Sequence, residues 1–111
     1  MAFDPTGFSI STSDRDGRAV VVIRGELDLA TAPDLEAVVT ERLDAGQDVV
    51  IDLRELAFMD STGLRVLVAA HARVEGGHQS FLVVRPRPGQ TIGKILAIAG
   101  VESVLDLIDD I

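Results

Sequence analysis

Apolar residues alternate with serines over residues 8–13, and this period of two is typical of a half-buried edge strand. A β-branched run follows at residues 18–25, after a turn in which Gly17 takes the strained position. The two segments are therefore predicted to form a β-hairpin. Three later strands are predicted from short apolar runs, of which the first two are typical of parallel strands covered on both faces. These runs are residues 49–53, 81–84 and 104–108.

Apolar residues recur at helical spacing in three stretches between these strands. The first stretch begins at Thr31, a candidate N-cap residue with Asp34 three positions later, and ends at Gly46. The second stretch covers residues 61–75 and the third covers residues 92–99, and each ends at glycine. Each stretch is predicted to be a helix with one apolar face.

The predicted element order is β-β-α-β-α-β-α-β, in a single domain spanning residues 1–111 with an ordered core of about residues 8–110. Strands and helices alternate after the hairpin. Right-handed crossovers then give a mostly parallel sheet with an antiparallel edge at the N-terminal hairpin. The predicted fold class is α/β.

Charge narrows the range of partners. The chain has 10 Lys and Arg against 18 Asp and Glu, a formal net charge of −8. This charge disfavours nucleic acids and favours a partner with a basic rim. There is no cysteine, which excludes disulfides, thiolate zinc sites and cysteine nucleophiles. The sequence has neither a signal-peptide pattern nor an apolar stretch long enough to cross a bilayer, so we expect a cytoplasmic protein.

The sequence predicts no catalytic site, cofactor site or metal site. Residues 89–94 have one residue too few between the glycines for a P-loop, and Ile95 stands where a metal-binding hydroxyl is needed, so a loop leading into a helix is predicted. Ser61 and His71 share one predicted helix and lie about 15 Å apart along its axis, too far for a catalytic hydrogen bond. His71 is predicted to be partly buried and bonded to backbone. Two histidines without matching carboxylates do not form a metal site.

Residues 58–64 (FMDSTGL) join a predicted buried strand to a helix. Asp60 or Ser61 can cap that helix, which is by itself a sufficient reason for the sequence Asp-Ser-Thr. A functional interpretation is favoured by position, because open α/β sheets place their sites beyond the carboxyl ends of strands. It is also favoured by Gly63 in the first helical turn, where glycine costs about 1 kcal/mol relative to alanine. Gly63 indicates either close approach of another backbone or a tight turn.

Two motifs together resemble those of bacterial anti-sigma factor antagonists, which are stand-alone STAS domains. The motifs are residues 25–32 (GELDLATA) and residues 58–64, and the apolar run at residues 49–53 lies between them. The resemblance covers about residues 8–108 and implies a STAS-like fold. It also implies a role in regulating transcription, in processes such as stress response or sporulation. Family members often add a helix after the final strand, whereas this chain ends at Ile111.

The resemblance implies a partner-switching mechanism. In the family, the serine after the aspartate of the second motif is phosphorylated, and this position corresponds to Ser61. The unphosphorylated form binds an anti-sigma factor and so releases the sigma factor. That anti-sigma factor is usually also the serine-protein kinase, with a histidine-kinase-like ATP-binding fold. A metal-dependent serine phosphatase reverses the modification. Phosphorylation of Ser61, which adds about −1.5 to −2 charge, is expected to abolish binding.

The expected partner-binding surface combines the start of the second helix with the loop after the second strand. Its residues are Glu26, Asp28, Asp60, Ser61, Thr62, Gly63, Leu64 and Arg65. Asp28 is equally well explained as a residue that forms its own turn. Arg65 lies four residues after Ser61, so its side chain either meets the phosphate or pairs in solvent with an acidic neighbour. The free N–H groups of the helix N-terminus are expected to tolerate the phosphate dianion.

Two other functions stay open. The chain could be a constitutive STAS interaction module of a sensory or transport complex that is never phosphorylated, although Ser at position 61 argues against this. It could also be a small esterase that uses Ser61, although the Gly-x-Ser-x-Gly elbow of such enzymes is absent.

Overall fold

The computed structural model describes residues 7–100 and 103–111, in which six strands and three helices follow one another. In chain order these elements are β1 (Ser9–Arg15), β2 (Arg18–Leu27), α1 (Ala32–Asp44), β3 (Asp48–Asp52), β4 (Leu56–Met59), α2 (Ser61–Val74), β5 (Phe81–Val84), α3 (Thr91–Ala99) and β6 (Asp106–Ile108).

The strands form a mixed sheet with the order β1-β2-β3-β5-β6, to which β4 is added beside β2. β1 is antiparallel to β2, and the other neighbouring strands are parallel. The predicted α/β class, with a mostly parallel sheet and an antiparallel N-terminal hairpin, is thus confirmed. Asp16 and Gly17 turn the hairpin with φ of +54° and +81°, the combination that matches the twist of the two strands.

The predicted element order lacked one strand, β4. The chain leaves β3 at Asp52, turns, and pairs in parallel with the last part of β2, where Leu27 lies opposite Met59. Its two central residues, Ala57 and Phe58, are exposed, whereas the residues at either end are buried. In sequence, β4 is a continuous apolar run of only four residues, which is too short for its pattern alone to distinguish a strand from another apolar segment.

Gly25 allows β2 to change partners from β3 to β4. The register shifts between Gly25 and Glu26, and the φ of Gly25 is +89°. A Cβ atom at this position would lie 2.7 Å from the Cα of Phe8. Any other residue would therefore be strained in its backbone and would clash with the chain before β1.

The main core joins residues on one face of the sheet to residues of helices α1, α2 and α3. Alternate strand residues such as Ala19, Val21 and Ile51 point into it and meet Leu35 and Leu67 from α1 and α2. The opposite face carries a smaller cluster of buried residues, Val20, Val50 and Val84. The central strands are therefore buried on both faces, as their continuous apolar runs predicted.

The ends of the elements show two differences from prediction. The last strand is shorter than predicted and begins at Asp106, because Val104 is 44% exposed and precedes the pairing with β5. Thr31 takes the N-cap position of α1, but its side chain makes no capping hydrogen bond.

None of the helices in the described ranges is long and apolar enough to span a bilayer.

An ion-pair network joins the β3–β4 turn to the end of the chain. Asp52 is 5% exposed and accepts hydrogen bonds from the Nε and Nη2 atoms of Arg54 at 3.0 and 2.9 Å. The Nη1 atom of Arg54 donates to Asp110 at 2.9 Å. Burial opposes ionisation of Asp52, but the hydrogen bonds from Arg54 outweigh it and lower the pKa of the carboxyl.

Candidate functional site

The candidate site lies where β2 and β4 end side by side. Because the two strands are parallel, their carboxyl ends meet at one edge of the sheet, and the N–H of Asp60 donates to the carbonyl of Leu27 at 3.1 Å. The loop after β2 therefore lies next to the start of α2. This is the juxtaposition of Glu26 and Asp28 with residues 60–64 that was expected if the sheet were parallel.

Asp60 caps α2. Its Oδ1 atom accepts hydrogen bonds from the N–H groups of Thr62 at 2.8 Å and Gly63 at 3.1 Å, and its carbonyl accepts from Leu64 at 3.1 Å. The capping role predicted for Asp60 or Ser61 thus belongs to Asp60. The carboxylate is held against the first turn of the helix.

Ser61 is the first residue of α2 and is exposed. Its hydroxyl has no hydrogen-bond partner among the residues that the structure describes. Thr62 and Leu64 are half-buried, and Leu64 packs against the core. Of the two adjacent hydroxyls, that of Ser61 is therefore the more accessible to another protein.

Gly63 lets the first turn of α2 lie directly on the ends of β2 and β4. A Cβ atom at this position would be 2.7 Å from Cγ of Leu27 and 3.0 Å from Cγ of Met59. The expected close approach is real, but the approaching atoms belong to side chains and not to another backbone. Leu27 and Met59 are fully buried, so neither has room to move away.

Asp28 forms the turn that connects β2 to α1. Its Oδ1 atom accepts from the N–H groups of Ala30 at 3.0 Å and Thr31 at 3.2 Å. The hydroxyl of Thr31 accepts from the N–H of Asp28 at 2.9 Å and donates to the carbonyl of Glu26 at 2.9 Å. The turn-forming role of Asp28 is therefore observed, and its contact with a partner stays a prediction. The same bonds explain why the Thr31 side chain does not cap α1.

Two exposed apolar residues flank this site, and sequence reasoning missed both as functional candidates. Leu29 is 74% exposed in the β2–α1 loop, and Phe58 is 38% exposed on β4, opposite Glu26. Leu29 also lines a depression of about 260 Å³ between α1 and α2, together with Thr62 and Arg65. The signal for Leu29 was a large apolar residue inside a polar turn, where the fold has no need of one.

The charges around Ser61 are mostly negative. Glu26, Asp28 and Asp60 surround the start of α2, and Arg65 is the cation of the predicted partner surface. Arg65 is exposed and forms no ion pair within the described part of the chain. The expected alternative, pairing of Arg65 with an acidic neighbour, is thus not observed.

The arrangements that resembled catalytic or metal sites are not assembled. His71 lies 3.9 Å from a carboxylate oxygen of Asp106, and its Nδ1 atom is buried without a hydrogen bond, so its predicted bond to backbone is wrong. Across the described residues, no group of three or more potential ligands could hold a metal ion. The loop before α3 leads into the helix with Gln90 at the N-cap position, as predicted.

A family model described as "Mlab, STAS domain" matches residues 10–108. The chain belongs to the STAS domain family. This STAS domain is 30% identical over 98 residues to the anti-sigma-B factor antagonist of Staphylococcus aureus, an alignment that covers 87% of this chain and 89% of that protein. The resemblance to anti-sigma factor antagonists is thereby confirmed. The name of these relatives describes them as antagonists of an anti-sigma factor, and it names no enzymatic reaction.

Solved structures agree with this assignment. The crystal structure of an anti-sigma factor antagonist from Mycobacterium paratuberculosis has a TM-score of 0.84 and 28% identity, over 97% of this chain and 91% of that chain. The Bacillus cell fate determinant SpoIIAA, in its phosphorylated form, has a TM-score of 0.65 and 19% identity, over 91% of this chain and 90% of that chain. At 19% identity, the similarity to SpoIIAA shows a shared fold.

Proposed function

We propose that this STAS domain is an anti-sigma factor antagonist whose binding is switched off by phosphorylation of Ser61. The observation that carries the proposal is the exposure of Ser61, the first residue of α2, whose hydroxyl has no hydrogen-bond partner among the described residues. An accessible hydroxyl is suited to modification, and the exposed Leu29 and Phe58 on the neighbouring segments are suited to contact with a protein. The similarity to named anti-sigma factor antagonists supports the class of partner.

The unphosphorylated form is the one that binds. It presents Leu29, Phe58 and Leu64 as apolar contacts, with carboxylates at Glu26 and Asp28 beside them. This combination fits a partner surface with an apolar centre and a basic rim. Binding to the anti-sigma factor releases its sigma factor, and both reactions take place in the cytoplasm, where transcription occurs.

Phosphorylation is a group transfer from ATP to Ser61. The Oγ atom of Ser61 forms a bond to the γ-phosphorus, the bond from that phosphorus to ADP breaks, and the hydroxyl proton is released. The anti-sigma factor, with a histidine-kinase-like ATP-binding fold, is the proposed kinase. A metal-dependent phosphatase adds water to the phosphoserine, which restores the hydroxyl and releases inorganic phosphate.

The modification opposes binding through charge and desolvation. A phosphate on Ser61 adds about −1.5 to −2 charge next to the Asp60 carboxylate. In a closed interface this charge loses its water, and any facing acidic or apolar group opposes it. A loss of about 3 kcal/mol lowers the affinity more than a hundredfold. The switch therefore requires no rearrangement of the fold.

Binding of substituted proteins to the cognate anti-sigma factor tests the proposal. Ser61→Asp is expected to lose about a hundredfold in affinity or more, and Ser61→Ala to stay close to the unsubstituted protein. Ser13→Asp is the matched control, because Ser13 is exposed on β1 opposite Val20, at the other end of β2. Equal affinity for Ser61→Asp and Ser61→Ala contradicts the proposal.

Labelling with radioactive ATP and the anti-sigma factor tests the modification itself. We expect label on the unsubstituted protein and on Thr62→Ala, and none on Ser61→Ala. Thr62→Ala is the control because it removes the neighbouring hydroxyl and leaves that of Ser61 in place. Tight binding with no labelling of Ser61 favours the constitutive interaction module.

A further inference from the structure

The start of α2 has little capacity left to neutralise a phosphate. The N–H groups of Thr62 and Gly63 already donate to the Asp60 carboxylate, at 2.8 and 3.1 Å. These are donors that an anion at a helix N-terminus ordinarily uses. The expectation that free N–H groups would tolerate the dianion therefore does not hold for these two. A phosphate on Ser61 therefore lies next to the Asp60 carboxylate and not next to unpaired N–H groups of Thr62 and Gly63.

Arg65 is placed to supply the missing positive charge. It follows Ser61 by four residues on α2, a spacing that puts the two side chains on the same helix face with the anion N-terminal to the cation. This is the favourable order of an i, i+4 pair, and the phosphate at the first residue of α2 also complements the helix dipole.

The Arg65 side chain is also available to pair with a phosphate on Ser61. Arg73, two turns further along α2, is paired with Asp44, and Arg54 is paired with Asp52 and Asp110. Arg65 is exposed and has neither an ion pair nor a hydrogen bond among the described residues. Together with Thr62 it lines the depression between α1 and α2, so its side chain lies next to the site and not behind it.

We propose that Arg65 is the counterion of phosphorylated Ser61 within the same chain, an inference that rests on the proposed function. In the unphosphorylated form, the guanidinium faces solvent and is free to meet an acidic group of the partner. In the phosphorylated form, it pairs with the phosphate through charge-assisted hydrogen bonds. Phosphorylation then changes the partner surface twice, because it adds a dianion and removes a cation.

The second pKa of the phosphate reports this pair directly. Phosphoserine can be placed at position 61 during synthesis of the chain, and its titration followed by ³¹P NMR. A nearby cation favours the dianion and lowers this pKa, whereas Glu26, Asp28, Asp60 and Glu36, the acidic groups on the surrounding elements, act in the opposite direction. We expect Arg65→Met to raise the pKa by about 0.3 unit, and Arg65→Lys to raise it by less. The difference is expected to shrink in 1 M salt, because the pair is exposed.

Arg73→Met is the matched control, because it removes the same charge from the same helix but two turns away. It is expected to leave the phosphoserine pKa unchanged. An equal pKa in the unsubstituted and Arg65→Met proteins overturns the inference, and so does an equal rise in Arg65→Met and Arg73→Met. The phosphate is introduced without a kinase and no partner is present. A negative result here therefore leaves the labelling and binding tests of the proposed function unaffected.

Discussion

Gly63 is the residue at which local preference and tertiary packing disagree. Alanine is favoured over glycine by about 1 kcal/mol in a helix interior, yet a Cβ atom here would lie 2.7 Å from Cγ of Leu27. This atom is the branch point of a fully buried side chain, and Met59 closes the other side at 3.0 Å. Overpacking of this kind costs about 1 to 3 kcal/mol. Because the helix preference of alanine offsets about 1 kcal/mol of this cost, we expect Gly63→Ala to lower the free energy of unfolding by up to about 2 kcal/mol, measured by urea denaturation.

The matched control is Gly93→Ala. Gly93 also lies inside a helix, α3, but a Cβ atom there would meet nothing within 4 Å. Only the helix preference acts at that position, so this substitution is expected to stabilise the protein by about 0.5 to 1 kcal/mol. A Gly63→Ala protein as stable as Gly93→Ala would show that the start of α2 is packed less tightly than the distances indicate.

At the level of elements, the β2–α1 loop and β4 each present one apolar side chain beside Ser61. Leu29 is 74% and Phe58 38% exposed, and neither belongs to the buried core cluster. Apolar residues near the centre of an interface commonly carry a large part of its affinity. Leu29→Ala and Phe58→Ala are each expected to weaken binding to the anti-sigma factor about tenfold or more, and Leu29→Ala is expected to change the unfolding free energy little.

Val104 offers the comparison for these two substitutions. It is 44% exposed and precedes β6, outside the surface around Ser61. Calorimetric titration of the anti-sigma factor measures all three affinities, and Val104→Ala is expected to leave the affinity unchanged. An unchanged affinity for both Leu29→Ala and Phe58→Ala would remove these residues from the proposed partner surface.

The turn between β3 and β4 is held by the pair of Asp52 and Arg54. The pKa of Asp52 is lower in the folded protein than its ordinary value, because hydrogen bonds from Arg54 outweigh the effect of burial. The unfolded chain therefore binds a proton more readily, and folding stability rises with pH. The contribution of the ionised Asp52 carboxyl to folding stability is complete above the ordinary carboxyl pKa of about 3.9. It is lost as the pH falls through the lower pKa that Asp52 has in the folded protein.

Asp52→Asn is expected to lower the free energy of unfolding by about 2 kcal/mol at pH 7, because it removes charge-assisted hydrogen bonds from a buried group. The difference from the unsubstituted protein is expected to narrow as the pH falls below about 4. Urea denaturation at pH 7 and pH 3 measures both effects, and Glu41→Gln, at an exposed position on α1, serves as the control. A difference that stays constant with pH would contradict the role assigned to the Asp52 charge.

For the whole molecule, periodicity predicted most of the architecture. Val49, Val50 and Ile51 are buried on both faces of the sheet, as a continuous apolar run requires. β4 was missed because its burial depends on where β2 runs beyond Gly25, which no local pattern records. The bond expected for His71 was wrong for a similar reason, since the surroundings of a buried nitrogen are set by distant segments.

The site was predictable to a different extent. A cap at Asp60 or Ser61 and the position of Ser61 at the start of α2 were predicted from residues adjacent in sequence, and the structure assigns the cap to Asp60. The exposure of Phe58 could not be predicted in this way, because exposure is a property of the assembled surface, and Leu29 left only the signal of an apolar residue in a polar turn. The reason for a glycine at position 63 was predicted in part. The sequence indicated a close approach at Gly63, but it did not indicate that the side chain of Leu27 makes that approach.

In the proposed function, one phosphate on Ser61 decides whether this STAS domain binds its anti-sigma factor. The most direct test is calorimetric titration of the anti-sigma factor with the unphosphorylated protein and with the protein carrying phosphoserine at position 61, at the same ionic strength. We expect the phosphorylated protein to bind at least a hundredfold more weakly, and treatment with a serine phosphatase to restore the affinity. Equal affinity of the two forms would contradict the proposal that phosphorylation of Ser61 switches off binding.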